Sequence, residues 1–299
     1  MPPHARRANG PRCHRRRRRI PHCLYPRPMS SFPLRVLTGA MCAAAVEVVA
    51  MTTALALYPF GMGADDATAG VRTVEPPDDG TPRVRTLREP TADDIPVVLV
   101  HGMSSNRAIF HILRRDLRRA GFPQVTVPNY SWLTTDVRSA ARMLAAEVER
   151  LCERGGHERV HVIGHSLGGL IARYYVQRLG GDARVHTLVT LGTPHHGTLV
   201  AMLPLPHPVM RQLRPGSDLL TELAEPAPGC ATRFVALHSD LDELVIPTGN
   251  ARLAHPDLRT SNIPVRAVGH VSLPLHRRVV SEVCRVLHDA HRPETTAAA

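Results

Sequence analysis

The apolar positions of the chain fall into short runs of strand length and longer stretches with the period of a helix. Ile95-Pro96-Val97-Val98-Leu99-Val100 is a continuous apolar run that ends at His101-Gly102-Met103. That is the pattern of a strand buried on both faces. Amphipathic spacing predicts a helix over about 107–120, basic on one face through Arg114, Arg115, Arg118 and Arg119. A short strand at 124–127 and a long amphipathic helix near 135–154 follow. Glu158 to Ile163 reads as a buried strand, Leu170 to Leu179 as a helix packed on it, and Val185 to Leu191 as a further strand. This alternation calls for a mostly parallel sheet with helices on both faces, an α/β architecture.

Beyond Leu191 the regularity stops. Residues 198–229 hold six prolines among Leu199, Val200, Met202, Leu203, Leu205, Val209, Met210 and Leu213. The apolar residues are too many to leave in water, and the prolines forbid one long helix. The segment is expected to be a short, partly apolar cap inserted after a strand, with Leu203 and Met210 lining an apolar pocket. Strands resume at Arg233 to Leu237 and at Ile263 to Val268, and an amphipathic helix spans about 272–289. No internal repeat is visible.

Charge changes the picture at one end only. The formal net charge is +11, every basic residue is Arg, and nine arginines lie within residues 1–28, which carry no acid. Without those nine, +2 is left for the rest of the chain, so the basic character belongs to a tail and nucleic acid is not an expected partner. Residues 1–35 are therefore expected to be a disordered Arg-rich N-terminus. From Val36 to Ala64 the only charge is Glu47, and about 20 apolar residues suffice to cross a bilayer. Arginines before the span and Asp65-Asp66 after it put the N-terminus inside and the rest outside. Residues 36–64 are thus read as a transmembrane anchor in the cell membrane, or as a long signal segment cut near 67–69 with secretion of the remainder. Met29 as well as Met1 could start such a chain. Residues 65–94 read as a linker, 95–291 as one domain, and 292–299 as a frayed tail. The six cysteines lack metal-type spacing, and a disulfide among Cys152, Cys230 and Cys284 stays open.

The chemistry centres on Gly164-His165-Ser166-Leu167-Gly168-Gly169, a G-x-S-x-G between a strand and a helix. In that context the chain turns sharply and projects the serine hydroxyl above the sheet, facing a helix N-terminus. A serine needs a base to take its proton and an acid to orient that base. His270 follows Gly269 after the last expected strand, whereas His276, His288 and His291 fall on the final helix or tail. The acid should lie just beyond strand 233–237, among Asp240, Asp242 and Glu243. Asp242 is preferred, because Val245 stands three residues on, before Pro247; Asp240 is the alternative. Backbone N–H groups of Met103 and Leu167 are the natural oxyanion donors. His101 is expected to brace its loop, and His195-His196 to line the cleft rim or cap the following turn. His157-Glu158-Arg159-Val160-His161 matches a zinc-protease pattern. It is refused, because in a strand the two histidines would stand about 13 Å apart. No metal and no cofactor are called for.

The segments Val98-Leu99-Val100-His101-Gly102-Met103, Gly164 to Gly169, Thr193-Pro194-His195-His196-Gly197-Thr198 and Gly269-His270 occur in that order. In this the chain resembles α/β-hydrolases of the bacterial triacylglycerol lipase and esterase class over about residues 94–290. The resemblance implies an α/β-hydrolase fold and a serine hydrolase of carboxylic esters working through an acyl-enzyme. Ser166, Asp242 and His270 would be the catalytic residues, and small-molecule or lipid esters the substrates. It leaves open acyl transfer, thioester or amide cleavage, and a non-catalytic membrane-bound adaptor. Some larger lipases of the class carry calcium, but no acidic set here can be assigned to it. Oligomeric state is not legible.

Overall fold

The computed structural model describes residues 95–103, 105, 107–128, 136–204 and 207–290. The N-terminal, membrane-span, linker and tail segments expected at 1–35, 36–64, 65–94 and 292–299 lie outside the described residues, as does Leu205. Among the described residues no helix is long and apolar enough to cross a membrane.

Six strands form one parallel sheet: β1 (Val97–Val100), β2 (Val125–Thr126), β3 (Val160–His165), β4 (Val185–Leu191), β5 (Arg233–Ser239) and β6 (Arg259–Val265). Their order across the sheet is β2-β1-β3-β4-β5-β6. The main helices are α1 (His111–Arg119), α2 (Val137–Gly155), α3 (Leu167–Arg178), α4 (Val209–Gln212), α5 (Asp218–Ala224) and α6 (Arg277–Asp289). Alternate strand residues serve the two faces of the sheet. Val98 and Val100 of β1 pack with α2, α3, α4 and α5, while Val97 and Leu99 pack with α1 and α6. Because both faces are covered, β1 is apolar at every position and the strands beside it are largely so, as the runs in the chain require.

The order reverses between β1 and β3, since β2 lies outside β1 and every later strand lies beyond β3. The crevice beyond the carboxyl ends of strands at such a reversal is where α/β sheets bind ligands. The loops carrying Met103 and Ser166 leave from those two strands.

Two elements differ from the expectation. The last strand is Arg259–Val265, not 263–268. Among the described residues it is an edge strand that pairs only with β5, so its half-exposed Arg259-Thr260-Ser261-Asn262 run does not look apolar, and Pro264 is tolerated there. The final helix is a 3₁₀ turn, Leu273–Leu275, followed by α6.

The expected cap divides in two. Val209, Met210, Leu213, Leu219, Leu220 and Leu223 are buried in the main apolar cluster beside α2 and α3. Met210 therefore belongs to the core and not to a pocket lining. This part is also pinned by polar contacts. The Glu222 carboxylate accepts from Arg138 and from the Tyr174 hydroxyl at 2.6 Å, and Gln212 bonds Asp136, the N-cap of α2. Arg173 donates to the Leu223 carbonyl, and Arg178 to those of Glu225 and Pro226. These guanidinium groups satisfy carbonyls that the end of α5 leaves unpaired. Leu199, Met202 and Leu203, by contrast, face solvent.

Candidate active site

β3 runs into α3 through a single residue, Ser166, held at φ 54° and ψ −123°. A non-glycine residue there costs about 1–3 kcal/mol and persists only where its surroundings over-determine it. They do so here. The Ser166 N–H donates to the Leu191 carbonyl at 2.9 Å. All of α3 from Leu167 to Val176 is buried. Ser166 is the one residue between Val160 and Val176 that reaches partial exposure.

Helix and strand meet backbone to backbone. A side chain at Gly168 would run into the carbonyls of Val100 and His101, so only glycine lets α3 start against the end of β1. A Cβ at Gly102 would lie 3.0 Å from that of Ser166. The loop leading to Met103 therefore passes directly beside the serine. The Leu167 N–H belongs to the first turn of α3, where the helix supplies no acceptor. It follows the serine directly.

His270 and Asp242 are each 2% exposed. The Nδ1 of His270 lies 2.9 Å from both carboxylate oxygens of Asp242, so it carries the proton and donates to them. Oδ1 also accepts from the N–H groups of Leu244 and Val245 at 3.0 and 2.8 Å. The Val245 contact makes the three-residue spacing physical: Asp242 turns its own loop back on itself. Asp240 does something else. Its carboxylate accepts the N–H of Ala267, a residue at φ 58°, and so braces the turn by which the chain leaves β6. His270 is thus carried by a loop five residues past the strand, a placement that the expected strand at 263–268 did not foresee.

His165 joins the two halves. It immediately precedes Ser166, its Nε2 donates to the His270 carbonyl at 3.1 Å, and the two rings lie 5.0 Å apart. Gly192, at φ 54°, fits beneath the pair: a Cβ there would stand 2.9 Å from Asp242 Oδ2 and 3.2 Å from His270 Nδ1. Neither residue is visible as a site element in the sequence beyond its place next to a strand end. His101 accepts no catalytic geometry; its Nδ1 donates to the Gly102 carbonyl at 3.0 Å, which braces the loop. His195 is buried against Thr190, and the Arg173 guanidinium holds its carbonyl, so it lies behind the site and not on a rim. His196 is more open. His161 of the refused zinc pattern lies in β3, whereas His157 precedes the strand and bonds Gln124. Among the described residues no group of three or more His, Cys, Asp or Glu could hold a metal. Cys152, Cys230 and Cys284 are unpaired thiols.

A family model for the alpha/beta hydrolase fold matches residues 95–214. A triacylglycerol lipase of Pseudarthrobacter phenanthrenivorans is 32% identical over 111 residues, 34% of each chain. One of Vibrio cholerae is 35% identical over 113 residues, 36% of this chain and 35% of that one. The mature Bacillus licheniformis lipase BlEst2 superposes with a TM-score of 0.55 at 16% identity, covering 67% of this chain and 94% of that one. The chain has the α/β-hydrolase fold, and its likenesses are to lipases and esterases. It spans about a third of the length of the curated relatives it matches.

Three buried histidines make the fold sensitive to acid. Burial pushes His101 down to about 4, against its bond to Gly102. Burial, aided by His270 and His101, pushes His165 down to about 3. Burial, aided by Arg173 and His196, holds His195 well below the usual range. In the unfolded chain each titrates near 6.5, so as pH falls the unfolded state binds protons first. Stability is then complete above about 6.5 and is lost as pH falls toward these depressed values, by up to about 1.4 kcal/mol per pH unit for each histidine. Urea midpoints should hold steady from pH 8 to 7 and drop steeply between pH 6 and 4; a flat profile would contradict neutral burial of these rings.

Proposed function

We propose that the protein is a serine hydrolase that cleaves carboxylic esters through an acyl-enzyme. The observation that carries this reading is the buried, two-oxygen Asp242–His270 contact, joined through His165 to a serine in a strained strand-to-helix turn. In this mechanism Ser166 Oγ attacks the ester carbonyl while His270 Nε2 takes its proton. Asp242 holds the ring in the Nδ1–H form and stabilises the imidazolium. The N–H groups of Met103 and Leu167 receive the oxyanion. His270 returns the proton to the leaving alcohol, and water then repeats the cycle on the acyl group. S166A and H270A should each lower kcat by roughly 10⁴-fold or more, and D242N by roughly 10²–10⁴-fold. D240N should stay within roughly threefold, because an amide oxygen still accepts the Ala267 N–H. If D240N is more damaging than D242N, the acid is misassigned.

Lipid-like acyl esters are the proposed substrates, in keeping with the names of the relatives. The support in this chain is an apolar rim. Leu199, Met202, Leu203, Leu244 and Ile246 are 38–59% exposed. They lie on two segments stitched together: Thr198 donates to the Leu244 carbonyl, Ile246 N–H to the Thr198 hydroxyl, and Leu199 N–H to the Ile246 carbonyl. The second segment starts at Asp242, so the rim adjoins the acid. Each methylene that an acyl chain buries is worth about 0.8 kcal/mol, roughly fourfold in rate. On p-nitrophenyl esters kcat/KM should rise from acetate to octanoate, and M202S/L203S should flatten that rise while sparing acetate. A wild-type preference for acetate would leave a plain esterase, and faster turnover of a matched thioester or anilide would redirect the assignment.

The apolar span at 36–64, with Glu47 as its one charge, supports a membrane tether with the domain outside. Full-length protein should then pellet with membranes and resist carbonate extraction. A mature N-terminus near residue 70 would replace the anchor with a cleaved signal.

A further inference from the structure

His270 sits in a loop, and no sheet ladder fixes its backbone. Its peptide groups are nevertheless held on both sides. The N–H donates to Glu243 Oε2 at 3.1 Å. The carbonyl accepts from His165 Nε2 at 3.1 Å and from the Leu273 N–H at 3.3 Å. The donors and acceptors are placed systematically: Glu243 is the residue after the acid, and His165 is the residue before the nucleophile. A carbonyl can only accept, so the His165 proton is on Nε2; its Nδ1 is buried without a partner.

We propose that Glu243 and His165 are positioning residues for the base. Resting on the reading of His270 given above, this assigns to them the task of gripping the base's backbone from the acid loop and from the elbow. Asp242 fixes only the Nδ1 edge of the ring. A ring free to pivot about that edge would swing Nε2 out of line with Ser166, and productive geometry tolerates about 0.5 Å and 10–20°. Gripping the backbone at both ends removes the pivot. It also ties the base to the two loops that carry its partners, so the three move together. Glu243 is exposed, yet its carboxylate reaches the backbone of the buried His270.

The test uses the full-length protein and two substitutions at each position. E243A removes the acceptor, whereas E243Q keeps an oxygen that can accept. H165L removes the donor, whereas H165Q keeps an N–H. E243A and H165L should each lower kcat roughly tenfold, with KM changed less than twofold. E243Q and H165Q should recover most of the loss. The far-downfield Nδ1–H proton resonance of His270, assigned by its absence in H270A, should be sharp in wild type and broadened in E243A and H165L. If H165L fails to fold, the E243A and E243Q pair decides alone, because Glu243 lies at the surface. Wild-type kcat and an unchanged resonance in E243A, with S166A inactive, would overturn the positioning role and leave the hydrolase reading intact. Equal losses in E243A and E243Q would overturn it too. An active S166A would remove the hydrolase reading itself.

Discussion

The close approach of α3 to the end of β1 is the constraint on which the rest depends. Helix and strand touch through backbone, with Gly168 against the carbonyls of Val100 and His101 and Gly102 beneath Ser166. Only this approach brings the first turn of α3 and the loop after β1 to the same point, on adjacent strands where the sheet order reverses. The strained serine is tolerable because the elements on either side are buried almost completely. Burial of each Leu or Ile contributes roughly 1.5–3 kcal/mol, and α3 alone buries Leu167, Leu170, Ile171 and Val176. One residue's strain is small against that sum.

The loop from Asp242 to Ile246 turns its two faces to different surroundings. Asp242 points inward, where His270 and two N–H groups surround it. Leu244 and Ile246 point outward, beside Leu199. The Thr198 hydroxyl donates to one backbone group of this loop and accepts from another. These bonds tie the rim to the loop that carries Asp242. The other half of the 198–229 segment is tied instead to the helices, through Arg138, Tyr174, Arg173 and Arg178.

Burying polar groups around the elbow has a cost that the protein meets in two ways. The histidines are kept neutral by desolvation. Arg173 stays charged at neutral pH although burial, helped by Arg178, lowers it to about 9. Among the described residues no carboxylate pairs with it, and it bonds Gln177 and the carbonyls of His195 and Leu223. Those contacts join the elbow helix, the loop after β4 and the end of α5. An apolar residue there would leave the carbonyls unpaired, which costs more than an average lost hydrogen bond.

Much of this was legible in the chain. Continuous apolar runs demand strands buried on both faces, and strands alternating with amphipathic stretches demand a parallel sheet. Gly-x-Ser-x-Gly between strand and helix marks the turn, because few other residues permit it. The contact between Asp242 and Val245 was readable from their spacing, since it is local. Local chemistry is written in local sequence. What the chain alone left undecided depends on neighbours distant in sequence. A polar edge strand shows no apolar period, so β6 was displaced. Met210 and Leu203 look alike in composition, yet one meets α2 and α3 and the other meets water. The closeness of Gly192, His165 and Glu243 to His270 arises only because the ends of β3, β4 and β5 converge there. Spacing along a chain encodes which element forms; which side chains of different elements meet is set by the packing of the whole sheet.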